Sequence, residues 1–112
     1  MENTILIAGP TASGKSRLAL ELACSLNGII INADSMQVYR ELRVLTARPD
    51  AQQEILAPHR LYGIISACTQ FSVRRWLDLA IAEIDIARRA GQVPIIVGGT
   101  GLYLQALTEG IS

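Results

Sequence analysis

Three short apolar segments, separated by amphipathic stretches, set the pattern of this chain. They cover residues 4–8, 29–33 and 94–97, with isoleucine in each of them. An apolar run of this length without alternation is typical of a strand that is buried on both faces. Between these runs, apolar positions recur at helical spacing within residues 16–26 and again after Ser72. Strands that alternate with helices predict an α/β layered fold with a mainly parallel sheet.

The longest predicted helix has Ser72 as its N-cap and stops at Gly91. Its apolar stripe consists of Val73, Trp76, Leu77, Ala80, Ile81, Ile84 and Ala87. The less regular segments predict four further elements. A short helix followed by a loop is predicted at residues 35–50, and one or two helical turns at 51–57. A short edge strand is predicted at residues 59–65, and a last helix capped by Thr100 at 100–107.

A phosphate-binding loop is predicted directly after the first strand, where the chain fits G-x-x-x-x-G-K-[ST] and a helix follows. Its residues are Gly9, Pro10, Thr11, Ala12, Ser13, Gly14, Lys15 and Ser16. Glycine permits backbone angles at which successive N–H groups point at a phosphate, which then lies at the positive end of the helix. Lys15 adds a mobile positive charge, and the Ser16 hydroxyl can bind a phosphate-bound Mg²⁺.

Ligands of open parallel sheets bind at the carboxyl ends of the strands. This rule places the phosphate loop, residues 34–37 and residues 98–101 on one rim, which is the predicted active site. Asp34 is the carboxylate closest to the phosphate loop in this arrangement. It can serve as a Mg²⁺ ligand or as a general base, with a helix N-cap as the alternative. The Thr100 hydroxyl can face a leaving group or a nucleobase, and it can also cap a helix.

The last predicted strand ends in Gly98 and not in the aspartate of a Walker B motif, which disfavours a motor-type or GTPase-type NTPase. Four arginines in the irregular middle can contact nucleic-acid phosphates or form a solvated face: Arg40, Arg43, Arg48 and Arg60. Four more are predicted to lie on the surface of the long helix: Arg74, Arg75, Arg88 and Arg89. Trp76 is predicted to belong to the core, and His59 to be structural.

Composition limits the function classes further. The 112 residues carry ten basic and ten acidic side chains, so no overall charge points to nucleic acid or to a membrane surface. No apolar run approaches the roughly 18 residues of a membrane span, and no signal-peptide pattern opens the chain. Cys24 and Cys68 lie in apolar contexts without metal-ligand spacing. They are predicted to be buried thiols in a reducing, cytoplasmic compartment.

Five segments carry a family resemblance: GPTASGKS at 9–16, INADSMQVYR at 31–40, TARP at 46–49, PHRLYG at 58–63 and PIIVGGTGLY at 94–103. Together they resemble the tRNA dimethylallyltransferases, also called tRNA isopentenyltransferases. Many kinases share the phosphate loop, whereas ADSMQVY followed by GGTGLY is highly specific. The chain departs from the commoner family text at Glu41 and Leu45, where glycine is usual, and at Arg48, where lysine is usual.

The resemblance implies transfer of a dimethylallyl group from dimethylallyl diphosphate to N6 of the adenine 3′ to the anticodon. It implies that residues 9–16 hold the diphosphate with Mg²⁺ at Ser16, and that Asp34 takes the N6 proton. Thr100 would contact the diphosphate or the tRNA near the leaving oxygen. The target base would be lined by Asp34, Ser35, Met36 and Gln37. The implied partners are dimethylallyl diphosphate and the anticodon arm of tRNA, with Mg²⁺ as the cofactor and no membrane.

The fold that the resemblance implies is a P-loop NTPase-like, kinase-like sheet with flanking helices. Family members are longer, so residues 1–112 are interpreted as one N-terminal P-loop domain that lacks the family's tRNA-gripping helical insertion and C-terminal part. We expect an exposed hydrophobic strand edge and little transfer by this chain alone. The alternatives are a small-molecule or nucleotide kinase, an enzyme that prenylates free adenine nucleotides, and a non-catalytic fragment that binds diphosphate or RNA. The oligomeric state is left open.

Overall fold

The computed structural model describes residues 4–9, 14–34, 49, 51–64, 72–99 and 102–110. Strands and helices alternate along the chain: β1 (Ile5–Ala8), α1 (Lys15–Leu26), β2 (Gly28–Asn32), α2 (Ala51–Leu56), β3 (His59–Arg60), α3 (Val73–Arg89), β4 (Val93–Gly98) and α4 (Leu102–Gly110). None of the helices in these ranges is long and apolar enough to cross a membrane.

The four strands form one parallel sheet in the order β1-β4-β2-β3. β4 pairs along its length with β1 on one side and with β2 on the other, and β3 adds a two-residue pairing beside β2. The predicted α/β class and parallel sheet are confirmed. The strand predicted at residues 59–65 is shorter than expected, although it does lie at an edge. Among the strands described, β1 forms the opposite edge, where Leu6 is 40% exposed, in agreement with the expected hydrophobic edge.

Helices cover both faces of the sheet, which explains the uninterrupted apolar runs in the sequence. Ile29 and Ile31 of β2 point into a core cluster shared with α3 and α4. Ile30 points the other way, into a second cluster with Ala19 and Ala23 of α1. Because successive strand residues face opposite sides, a strand covered on both sides needs apolar residues at consecutive positions.

Helix α3 begins where the sequence predicts. The Ser72 side chain accepts a hydrogen bond from the Arg75 N–H at 3.1 Å, and Trp76 is fully buried in the core. One position of the predicted stripe differs, since Ile81 is 37% exposed. Each helical residue advances about 100°, so Ile81 lies roughly 90° from the centre of the buried stripe, at its margin.

The prediction of buried cysteines is wrong for Cys24, which is exposed. Helix α1 packs on the sheet through the small side chains of Ala19 and Ala23. The next position is turned about 100° away from Ala23, towards solvent. Its sulfur lies 3.8 Å from the Leu56 carbonyl oxygen of α2. Cys68 lies outside the described residues, as does the short helix predicted at residues 35–44.

The carboxyl ends of β2 and β4 meet at Gly98. A Cβ at this position would lie 2.7 Å from the Ala33 carbonyl oxygen and 2.8 Å from the Ala33 Cβ. The two backbones are joined there by the Ala33 N–H, which donates to the Val97 carbonyl oxygen at 2.8 Å. Glycine is therefore required at position 98 for close approach.

We expect Gly98→Ala to lower the free energy of unfolding by about 1–3 kcal/mol, because backbone atoms must move to admit the methyl group. Gly99→Ala is the matched control: a Cβ there meets nothing within 4 Å. We expect that variant to be neutral or slightly more stable, by up to about 1 kcal/mol, through the lower entropy of its unfolded chain. Urea unfolding of the two variants is the measurement. Equal losses in both would contradict the close contact between β2 and β4.

Candidate functional site

Strand β4 holds the segments that follow β1 and β2 on either side of its carboxyl end. The Gly9 N–H donates to the Gly98 carbonyl oxygen at 3.2 Å, and the Ala33 N–H donates to the Val97 carbonyl oxygen. Neighbouring strands lie about 4.8 Å apart. Gly9 and Ala33 therefore lie roughly 10 Å apart, two strand spacings, with β4 between them. The start of the phosphate loop and the residue before Asp34 share one rim, as predicted.

The phosphate loop leads directly into helix α1. Gly14 precedes the helix with φ +80°, in the left-handed region that favours glycine, although a Cβ would meet nothing there. The requirement is therefore conformational and not steric. Glycine also has no side chain with which to cap the helix, so the N–H groups of the first turn are suited to an anionic ligand.

Lys15 is the first residue of α1 and is buried, with 6% of its surface exposed. Its Nζ donates to the Gly9 carbonyl oxygen at 2.5 Å. The bond joins Lys15 to the first residue of the loop motif and fixes the position of the ammonium group. A phosphate anion bound at the loop would compete with a neutral carbonyl for the ammonium group, and charge-assisted hydrogen bonds are the stronger kind.

Asp34 leaves the end of β2 and is half-buried. Its N–H donates to Oδ1 of Asn32 at 2.8 Å, and its carbonyl oxygen accepts from Nδ2 of Asn32 at 2.9 Å. The same Nδ2 donates to the Leu61 carbonyl oxygen at 3.1 Å. A buried carboxamide thus ties the residue after β2 to the segment after β3. Sequence reasoning treated this asparagine as part of an apolar run and missed it.

Tyr62 is a second residue that sequence reasoning missed. Burial raises the pKa of its hydroxyl well above the usual range, and the negative charge of Asp34 raises that pKa further. The Tyr62 hydroxyl is therefore harder to ionise than the hydroxyl of an exposed tyrosine. The tyrosine lies in the segment PHRLYG, which carries part of the family resemblance, and this was the available signal; the sequence predicted it to lie within the strand at residues 59–65.

A narrow cleft lies between α1, α2 and the sheet, where residues of β2, β3 and β4 border it. It has room for about one water molecule, ≈ 10 Å³, which is close to the minimum for a bound water. It is lined by Ser16, Ala19, Leu20, Ile30, Pro49, Gln53, His59, Tyr62 and Val97. Ser16 and Tyr62 border this same space.

The chemistry of the described side chains suits Mg²⁺ brought in by a phosphate ligand. No group of three or more His, Cys, Asp or Glu side chains in the ranges above could hold a metal ion by itself. Mg²⁺ is commonly held by one or two protein oxygens together with substrate phosphates and water. The Ser16 hydroxyl and the Asp34 carboxylate match that kind of site better than an all-protein one.

The structure places five of the predicted site residues: Gly9, Gly14, Lys15, Ser16 and Asp34. The other predicted residues lie outside the described ranges: Pro10, Thr11, Ala12, Ser13, Ser35, Met36, Gln37 and Thr100. The catalytic and binding roles of both groups of residues remain predictions.

The predicted arginines that fall within the described residues are exposed on the surface. Arg60 is exposed and pairs with Glu83 at 3.5 Å. The four arginines of α3 are exposed as predicted, with ion pairs between Arg74 and Asp78 and between Arg89 and Asp85. Arg40, Arg43 and Arg48 lie outside the described residues, so the contact of these arginines with nucleic-acid phosphates stays a prediction from the sequence.

Comparisons with known proteins agree with this arrangement. A model of the IPP transferase family matches residues 37–112. The tRNA dimethylallyltransferase of Methylocella silvestris is 63% identical over 108 residues, which are 96% of this chain and 36% of that protein.

Two solved structures share the fold. The full-length tRNA isopentenylpyrophosphate transferase of Bacillus halodurans superposes with a TM-score of 0.92 and 40% identity, over 100% of this chain and 37% of that one. A eukaryotic dimethylallyltransferase acting on tRNA gives a TM-score of 0.87 and 38% identity, over 93% of this chain and 26% of that one. The predicted P-loop fold of this family is confirmed, and the chain spans about a third of the length of the curated relatives it matches.

His59 gives the site region a measurable pH dependence. Burial lowers the pKa of its imidazole below the usual 6.5, an effect partly offset by the Ala57 carbonyl and the Glu54 carboxylate. The Ala57 oxygen lies 2.8 Å from Nδ1 and accepts from it when Nδ1 carries the proton. His59 is the chain's single histidine, so no other imidazole titrates.

We expect the free energy of unfolding to fall as pH decreases below about 6.5, because the unfolded state then binds a proton that the folded state resists. The stabilisation is complete above the unfolded pKa and is lost as pH falls through the lowered folded pKa. In His59→Gln this dependence should largely disappear between pH 7.5 and 5.5. Urea unfolding at several pH values is the measurement. Parallel pH profiles for the two proteins would rule out His59 as the cause.

Proposed function

Because the chain belongs to the IPP transferase family, we propose that it forms the donor-binding part of a tRNA dimethylallyltransferase. The whole protein would transfer the dimethylallyl group of dimethylallyl diphosphate to N6 of the adenine 3′ to the anticodon. A tRNA substrate would place this activity in the cytoplasm. The supporting observation is the placement of the phosphate loop and Asp34 on opposite sides of the β4 end, joined through Gly9 and Ala33.

In the proposed reaction, the loop at residues 9–16 binds the diphosphate through backbone N–H groups of residues 11–16, the helix N-terminus and Lys15. The N6 lone pair forms a bond to the allylic C1 carbon. The C1–O bond breaks, and its electron pair leaves with the diphosphate. Asp34 accepts the proton that N6 loses. Gly9 and Ala33 lie roughly 10 Å apart on either side of β4, so the reacting carbon would lie above the end of β4, between the loop and Asp34.

The Ser16 hydroxyl and oxygens of the diphosphate would hold Mg²⁺. A divalent cation there would supply positive charge to the departing diphosphate. Lys15 stabilises the same charge from its buried position, where an electrostatic interaction is stronger than in water. Both cationic groups favour departure of the diphosphate, whereas neither is needed to activate a nucleophile.

A small-molecule or nucleotide kinase is the second candidate, since it would use the same loop for ATP. One observation counts against it: β4, the strand between the loop and Asp34, ends in Val97 and Gly98. A kinase of this kind would need carboxylates for Mg²⁺ and for its acceptor hydroxyl. The rim offers Asp34 for one such role among the residues described.

We expect dimethylallyl diphosphate with Mg²⁺ to bind this chain more tightly than ATP with Mg²⁺, as measured by titration calorimetry. Lys15→Ala should weaken that binding by about 10- to 100-fold, because it removes one charge-assisted hydrogen bond. Arg17→Ala is the matched control. It removes a positive charge from the same helix turn, but Arg17 is exposed and pairs with Glu21 at 3.6 Å. A preference for ATP would favour the kinase, and equal losses in both variants would exclude a specific role for Lys15.

We expect Asp34→Asn to keep diphosphate binding and to lower transfer by about 10²- to 10⁴-fold, because a general base is lost. Transfer to an anticodon stem-loop is measured in a chimaera, in which the 108 matched residues replace their counterpart in the M. silvestris protein. Asp78→Asn, on the exposed side of α3, is the control and should keep full activity. Full activity of the Asp34 variant would show that N6 loses its proton elsewhere.

A further inference from the structure

Asn32 is a buried polar side chain at the rim. It ends β2 with 1% of its surface exposed. A carboxamide in such a position is costly unless its hydrogen-bonding groups are satisfied. All three described partners of this carboxamide are backbone atoms of rim segments, two on Asp34 and one on Leu61.

The bonding pattern uses both ends of the carboxamide. Oδ1 accepts from the Asp34 N–H, while Nδ2 donates to the carbonyl oxygens of Asp34 and Leu61. Accepting and donating groups on one short side chain are needed at once. Aspartate lacks the donors, and leucine of similar size lacks both kinds of group.

Leu61 shows why the second segment needs this bond. Its φ is +66°, which is uncommon for a residue other than glycine. The side chain is nonetheless buried in the core. The next residue is Tyr62, whose hydroxyl lies in the field of Asp34. Asn32 therefore fixes the backbone of the segment after β2 and the backbone of the segment after β3.

We propose that Asn32 is a positioning residue that sets the direction in which Asp34 leaves β2 and holds it against the Leu61–Tyr62 segment. This inference rests on the proposed function in one respect, the role of Asp34 as the base. The positioning itself is a property of the fold and can be measured without turnover.

Trp76 offers a matched control. Its Nε1–H donates to the backbone carbonyl oxygen of Asn32 at 2.7 Å, and its ring stacks on Tyr103 at 4.7 Å. Trp76→Phe removes a hydrogen bond to the same residue and keeps an aromatic ring. It leaves the carboxamide and its bonds to Asp34 and Leu61 in place.

The first experiment is amide hydrogen exchange on the 112-residue chain. In Asn32→Ala the Asp34 amide should exchange about 10-fold faster relative to the Ile30 amide, whose partner is the Pro58 carbonyl oxygen. In Trp76→Phe the exchange rates of the Asp34 and Ile30 amides should rise by the same factor. Asn32→Asp keeps an acceptor oxygen but loses the donors to the Asp34 and Leu61 carbonyl oxygens, so it should not restore full protection of the Asp34 amide. Equal acceleration of both amides in Asn32→Ala overturns the positioning role, and full protection of the Asp34 amide in Asn32→Asp would contradict the need for the donors.

The second experiment measures steady-state transfer in the chimaera. Asn32→Ala should lower kcat by about 10²-fold, the effect of a misplaced catalytic group, with dimethylallyl diphosphate affinity unchanged. Trp76→Phe should keep kcat. The double variant Asn32→Ala/Asp34→Asn should be no slower than Asp34→Asn, since the first change acts through the second residue.

The two failures are distinguishable. If Asp34→Asn keeps full activity or the unmutated chimaera is inactive, the proposed function is at fault, and the exchange experiment still decides the positioning role. If Asp34→Asn lowers the rate of transfer in the chimaera and Asn32→Ala does not, the positioning role is wrong and the proposed function stands.

Discussion

Two consecutive carbonyl groups at the end of β4 organise this molecule. The Val97 oxygen accepts from Ala33, and the Gly98 oxygen accepts from Gly9. These bonds carry the ladder beyond the ends of β1 and β2, so the two flanking segments leave the sheet at fixed positions. The contact is possible because position 98 has no side chain, and its backbone lies against Ala33. This contact therefore determines where the segments that begin at Gly9 and Ala33 leave the sheet.

The electrostatics of the rim follow from that geometry. Gly9 follows β1 on one side of β4, and its carbonyl oxygen holds the Lys15 ammonium. Asp34 follows β2 on the other side of β4. A bound ammonium group and an acidic residue are thus connected to the two strands that flank β4. This arrangement suits a reaction in which an anion departs on one side and a proton is accepted on the other.

The sequence predicts the architecture well, because each buried strand is an unbroken apolar run and the loop motif has a strand before it and a helix after it. It fails where a residue's role depends on neighbours distant in the chain. Cys24 and Ile81 have side chains that are common in protein cores, but both are exposed. Each lies beside the buried face of its helix, and the limits of that face depend on how the helix packs on the sheet. The Asn32 side chain donates a hydrogen bond to a carbonyl oxygen 29 residues away. The charge of Asp34 contributes to the raised pKa of Tyr62. Such pairs have no local signature in the sequence.

The most direct test of the shared rim is a crystal structure of this chain with Mg²⁺ and an unreactive dimethylallyl diphosphate analogue that has a methylene group in place of the bridging oxygen at C1. The proposed function predicts that the diphosphate lies on the amides of residues 11–16 and that the Lys15 ammonium moves from the Gly9 carbonyl to a phosphate oxygen. The allylic carbon should point towards Asp34. A diphosphate bound elsewhere, or an allylic group directed away from Asp34, would contradict a single donor site built around the end of β4.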